Sequence, residues 1–207
     1  MADRLRSLWD FDDLDATEQR LHAQLKEESD DPGRAEVLTQ LARVAGLRGD
    51  FDACERLLQD AEGLGVSSAI VKVRIGLERG RKLRSSGDPA GALRLFEESF
   101  AQARDSGAYY LAGDAAHMCA LAASADRSAM EDWTERGLDL GEREPGAAYW
   151  AGPLLNNLGW AYFDAGDHER ALELFERALE VRRRDPENQD AIAFAEEAVQ
   201  TARAAMS

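Results

Sequence analysis

Apolar residues recur along this chain at the period of an α-helix, and they nowhere alternate with polar residues over the length of a strand. The clearest stretch is LLNNLGWAYFDAGDHERALELFERALE, residues 154–180. Its first half places apolar or small residues at positions i, i+3, i+4 and i+7 of one helix face: Leu155, Leu158, Gly159 and Tyr162. Its second half has another such face: Ala171, Leu172, Phe175, Ala178 and Leu179. The stretch predicts two amphipathic helices joined by a turn at Gly166.

The same pair of helices recurs along the chain. Small residues mark the predicted turns at Gly49, Gly87, Ala125 and Gly166, which lie 38, 38 and 41 residues apart. This period predicts four helical hairpins, at about 35–64, 70–104, 108–141 and 148–184. Because one hairpin cannot bury its own apolar face, the hairpins must pack on one another.

Aspartates just before proline predict the starts of helices, because aspartate caps free backbone N–H groups and proline fits the first turn. Such pairs occur at Asp31, Asp88 and Asp185. The last pair predicts a C-terminal capping helix over 187–205, and the pattern of residues 15–29 predicts an extra N-terminal helix. We therefore expect a single domain over 15–207.

Residues 1–14 are expected to form an N-terminal tail or a short docking segment. Its LWDFDD run, residues 8–13, combines aromatic and acidic side chains. The run is predicted to dock onto the first hairpin. A recognition tail, or a segment that occupies the groove of a neighbouring molecule, is the alternative.

Composition narrows the class of function. The 207 residues suit one domain, and 40 acidic against 25 basic residues give a net charge of −15. Such a charge argues against nucleic acid or a membrane surface as the partner. The chain has no apolar run of membrane-spanning length, no signal-peptide pattern and only two cysteines, which together indicate a cytoplasmic protein. We expect no bound metal and no cofactor.

The small and large apolar positions of these hairpins resemble the tetratricopeptide repeat (TPR) family. The resemblance is closest over 151–184 and good over 35–64, where the same slots hold Leu38, Leu41, Ala42, Ala45, Gly49, Cys54, Leu58 and Ala61. The NNLG run and a spacing above 34 residues are similar to the longer variant of kinesin light chains and bacterial TPR regulators. The resemblance implies an all-α, right-handed solenoid whose concave face binds peptides or partner proteins, and it does not imply an enzyme. Arg79, Asp114 and His117 depart from it, because they stand where the family has large apolar residues.

In such a solenoid the first helix of each hairpin lines the concave groove. Helical spacing places two sets of residues there: Arg74, Leu77, Arg81 and Arg84 in the second hairpin, and Asn156, Asn157, Trp160 and Phe163 in the fourth. Residues 70–85 hold six basic residues and one acidic residue. This surface predicts an acidic or C-terminal peptide segment as the ligand, held by arginine, amide and aromatic side chains. The alternative is structural: the arginines pair with acids of neighbouring hairpins, the asparagines bridge helices and Trp160 packs between repeats.

The sequence therefore predicts a non-catalytic scaffold or adaptor that binds a peptide or protein segment. One alternative is a sensory regulator that binds a small ligand or a signalling peptide. Another is a structural assembly module that self-associates weakly through its ends or its tail. No catalytic residues are proposed, because the three histidines fall on separate predicted helices and no acid–base pair converges on a site.

Overall fold

The computed structural model describes residues 3–186 and 188–206, and within them it contains α-helices, two short 3-10 helices and no strand. The ten α-helices are α1 (Leu14–Glu27), α2 (Asp31–Leu47), α3 (Phe51–Gly63), α4 (Ala69–Ser85), α5 (Pro89–Asp105), α6 (Tyr109–Ala122), α7 (Arg127–Arg143), α8 (Ala151–Asp164), α9 (His168–Arg182) and α10 (Gln189–Ala205). The 3-10 helices are Arg6–Leu8 and Pro145–Trp150. The predicted all-α fold of sequential helix pairs is confirmed.

Aspartate side chains cap most of the helices, as the sequence predicts. Asp88 accepts a backbone N–H at the start of α5, as its Asp–Pro pair predicts, and Asp50, Asp126 and Asp167 cap α3, α7 and α9 in the same way. Two predicted starts shift by one to three residues. Asp30 caps α2 in place of Asp31, and Asn188 caps α10 beyond the Asp185–Pro186 pair. The capping helix therefore begins at Gln189, and Glu187 lies outside the described residues.

Glycine closes three of the predicted turns. Gly49, Gly87 and Gly166 have φ values of 79°, 90° and 83°, a backbone region that side chains with a Cβ rarely adopt. Within the last hairpin, Gly159 lets α8 approach α9 closely, because a Cβ there would lie 2.5 Å from Cε1 of the buried Phe175. Small and large residues thus alternate at the contact between helices, and this alternation fixes how the hairpin closes.

The chain divides into two compact units, Met1–Ala115 and Ala116–Ser207. In the first unit, α2 packs on α3 and α4 packs on α5, while α1 packs on α2. One apolar cluster of this unit joins α2, α3 and α4 through Ala42, Leu58 and Ile75. In the second unit, α8 packs on α9 and α10 covers α9, around a core that contains Phe175 and Val199. The single domain over 15–207 stays a prediction.

The N-terminal segment 3–13 packs against the first helices. Leu5 is fully buried in an apolar cluster with Leu21, Val37 and Leu41. Trp9 donates its indole Nε1–H to Oε1 of Gln40 on α2 at 3.0 Å. Within the described residues, no helix combines the length and the apolar character that crossing a bilayer requires.

Candidate interaction surfaces

The α4 residues predicted to line a binding face are mostly covered. Arg74 and Leu77 are 5% and 1% exposed, and Arg81 is partly buried. Only Arg84 is exposed. A partner therefore reaches Arg84 without any rearrangement, but it reaches Arg74 and Leu77 only if the residues that cover them move.

A buried ion cluster holds Arg81. Its Nη2 donates to both carboxylate oxygens of Asp114 at 2.6 Å, and its Nη1 donates to Glu78 at 2.5 Å. Arg43 of α2 lies 4.0 Å from the same Asp114 carboxylate. Although burial opposes it, these two carboxylates raise the pKa of Arg81, while burial raises the pKa of Glu78. Arg81 therefore remains charged, and its guanidinium is already occupied by the chain's own acids.

Two further basic residues of α4 also pair with acids of the preceding helix. Arg79 lies 2.9 Å from Glu55 and 2.7 Å from Glu62, and Lys82 lies 2.6 Å from Glu55. The departure from the family pattern at Arg79 thus has a partner on α3. Four of the six basic residues in 70–85 therefore pair with acids of the chain itself: Arg74, Arg79, Arg81 and Lys82. Arg84 has no ion pair within the described part of the chain.

The N-terminal segment contacts one side of α2 and α4, which we call the α2–α4 face: Glu36, Gln40, Arg43 and Arg74. Asp3 accepts a hydrogen bond from Nη2 of Arg74 at 2.6 Å, and both side chains are under 10% exposed. The Arg43 guanidinium carbon lies 5.2 Å from the centre of the Trp9 ring. The sequence predicts that residues 8–13 dock onto the first hairpin, but sequence reasoning missed the pairing of Asp3 with Arg74. The signal that could have found this pair is the acidic–aromatic composition of the segment beside an arginine-rich helix.

In the second unit, the four predicted residues of α8 lie on one strip and are all half-buried. We call Asn156, Asn157, Trp160 and Phe163 the α8 strip. Its rings contact each other, with Trp160 at 5.3 Å from Phe163 and 4.9 Å from Phe175 between ring centres. Both aromatic rings therefore belong partly to the core and partly to the surface.

The two amides of the α8 strip differ in their surroundings. Nδ2 of Asn157 lies 2.7 Å from Nε2 of His117 on α6, so this amide bridges two helices. The polar His117 thus has an amide partner where the family pattern has an apolar residue. Oδ1 of Asn156 is buried and accepts no hydrogen bond from the described residues.

No group of three or more His, Cys, Asp or Glu residues that could hold a metal ion occurs among residues 3–186 and 188–206. Cys54 is buried, and burial raises the pKa of its thiol to about 11, which keeps it protonated and unreactive.

Comparison with known proteins identifies the repeats. Residues 129–184 and residues 35–60 each match a family model described as tetratricopeptide repeat. These segments contain the fourth and first predicted hairpins almost whole. No protein of curated function matches the sequence.

Among solved structures, the chain is similar to the crystal structure of BtubC (BKLC) from P. vanneervenii, with a TM-score of 0.63 and 18% sequence identity. The match covers 98% of this chain and 88% of that chain. At this identity the likeness shows a shared fold. The two matched segments and the sequential helix pairs lead to one conclusion: the chain contains tetratricopeptide repeats, over residues 35–60 and 129–184.

Proposed function

We propose that this protein is a non-catalytic scaffold or adaptor that binds a peptide or protein segment on the first helices of its repeats. TPR domains generally bind proteins. The observation that carries the proposal is the α8 strip, which presents amides and aromatic rings that the fold buries only in part. Half-buried rings offer a partner a large apolar contact without a large loss of side-chain entropy.

The chemistry of the α8 strip suits an extended segment. The accessible part of a half-buried asparagine side chain can hydrogen-bond to the backbone of such a segment, although Oδ1 of Asn156 is itself buried. Trp160 and Phe163 supply a contact for an apolar side chain beside it. In the first unit, the exposed Arg84 supplies a cation for an acidic residue or a terminal carboxylate. We infer the acidic preference from Arg84, since Arg74 and Arg81 are engaged by the chain's own acids. We also propose a cytoplasmic location, which the composition of the chain supports.

A sensory regulator is the second candidate. It is favoured by a pocket of about 450 Å³ in the second unit, lined by apolar residues of α7 and α8 and by charged residues at the end of α9. Two of the residues that line this pocket contact each other: the guanidinium carbon of Arg182 lies over the Tyr149 ring, 5.2 Å from the ring centre. A copurified small molecule that protects Tyr149 from modification would favour this candidate over the scaffold.

The proposal is tested with a phage-displayed peptide library selected on the wild-type protein. The selected peptides are then measured against three full-length variants: Asn156→Ala, Arg84→Glu and Arg94→Glu. Arg94 is an exposed arginine on α5, the second helix of the same hairpin, and serves as the matched control. We expect a tenfold or greater loss of affinity for Asn156→Ala or Arg84→Glu and none for Arg94→Glu. Equal affinities for all three variants would show that the first helices do not form the binding surface.

A further inference from the structure

The N-terminal segment makes a continuous set of specific contacts with the α2–α4 face. Asp3 meets Arg74, Leu5 enters the apolar cluster, and Trp9 meets Gln40. The three residues of α2 that take part are Glu36, Gln40 and Arg43, and their spacing of four and three residues places them along one helix face. A face formed by first helices of this protein therefore already binds a segment of the same chain. A carboxylate, a leucine and an indole of that segment each make a separate contact with it.

Arg74, which the segment covers, belongs to the surface that the sequence assigns to partner binding. The sequence predicts that Arg74 binds an acidic group of a ligand, and the carboxylate that it binds in the structure is Asp3, 71 residues away in the chain. The same Arg74 also lies 3.5 Å from Glu36 of α2. Asp3 of the N-terminal segment thus makes the ion pair with Arg74 that we expect an acidic ligand to make.

The contacts differ in how firmly they hold. Leu5 is 1% exposed and the Asp3–Arg74 pair is buried, so the beginning of the segment is firmly held. Phe11 is 50% exposed, although it stacks on Trp9 with ring centres 5.0 Å apart. Release would therefore start at the aromatic end, and a competitor must replace the burial of Leu5 to complete it.

We propose that residues 3–13 are a built-in occupant that closes the α2–α4 face, and that the face binds a partner segment carrying the same groups in the same order: a carboxylate, a leucine and an indole. This inference rests on the proposed function, because it takes the first helices as the partner surface. It adds the chemistry of the partner and the way in which access is controlled. Because the occupant is tethered, it competes at a high effective concentration and lowers the apparent affinity of any free segment.

The test is a titration of a fluorescein-labelled peptide of residues 3–13 into the full-length protein. The wild type is compared with Trp9→Ala/Phe11→Ala, which weakens the tethered occupant, and with Phe194→Ala. Phe194 is 56% exposed on α10 and is the matched control for loss of an exposed ring. We expect the peptide to bind the double variant at least about tenfold more tightly than the wild type. This figure follows if the α2–α4 face of the wild type is open in less than about a tenth of the molecules, because the apparent affinity falls by that fraction. The control should bind like the wild type.

Three results would overturn the inference: no binding to the double variant, equal binding to all three proteins, or equally tight binding of a peptide in which Leu5 and Trp9 are replaced by alanine. If the double variant loses its helical circular dichroism, the same titration with Phe11→Ala alone decides, since that ring is half exposed and its loss leaves the core intact. The titration needs no partner protein. If the titration fails, the results for Asn156 and Arg84 from the library selection are unaffected. If the library selection fails, the result of the titration is likewise unaffected.

Discussion

Replacing Asp114 by asparagine tests whether the buried ion cluster stabilises the first unit. The Asp114 side chain is 4% exposed and accepts two hydrogen bonds of 2.6 Å from Arg81. Asparagine keeps the shape but removes the charge, which leaves Arg43 and Arg81 beside a single carboxylate, Glu78. Removing one partner of a buried pair costs about 3–5 kcal/mol in general. Because Arg81 retains Glu78, we expect a loss of about 3 kcal/mol in the free energy of unfolding.

The assay is urea unfolding at pH 7, followed by far-UV circular dichroism. Asp105→Asn is the control, because Asp105 and its partner Arg104 are both more than half exposed and such a pair contributes about 0.5 kcal/mol. A double-mutant cycle with Arg81→Gln should give a coupling energy of at least about 1 kcal/mol. A loss below about 1 kcal/mol for Asp114→Asn, or a coupling energy of zero, would refute the reasoning that this cluster supports the fold.

Three further predictions follow from packing and ionisation. Gly159→Ala should cost about 1–3 kcal/mol in unfolding free energy because its Cβ would press on Phe175, whereas Gly63→Ala, with open space around it, should cost nothing. Although burial opposes it, hydrogen bonds from two cations lower the pKa of Glu55 in the folded state. Its stabilisation is therefore present above the ordinary carboxyl pKa and lost as the pH falls below it, so Glu55→Gln should cost about 0.5 kcal/mol at pH 7 and progressively less in urea titrations toward about pH 3. A cost that is independent of pH would contradict this assignment. The Cys54 thiol, with its pKa of about 11, should not react with a disulfide reagent at pH 8 until urea unfolds the protein, and fast labelling of the native protein would contradict its burial.

The helices and their pairing were predictable because their signals are local. Glycine at the turns, aspartate at the caps and apolar residues at helical spacing each act within a few residues of one another. Gly49 and Gly166 show this well, since both adopt the backbone conformation that their place in the repeat requires. The cap of α10 was misplaced because Asn188 competes with the nearby Asp185 for the same role.

The accessibility of the predicted surface could not be read from the sequence, because it depends on residues far along the chain. Whether Arg74 is open to a partner is decided by Asp3, and whether Arg81 is open is decided by Asp114, 33 residues away. Helical spacing groups such residues on one face but does not tell what covers that face. The useful signal was the departure from the family pattern: Arg79, Asp114 and His117 each stand at an apolar slot, and each has a polar partner in the structure.

The central claim is that partners bind on the first helices of the repeats, and amide hydrogen exchange tests it most directly. The full-length protein is measured alone and saturated with a peptide from the library selection. We predict slower exchange in α4 or α8, the first helices that carry Arg84 and Asn156, with α5 and α9 unchanged. Protection confined to α5 and α9, the second helices of the same hairpins, would contradict it.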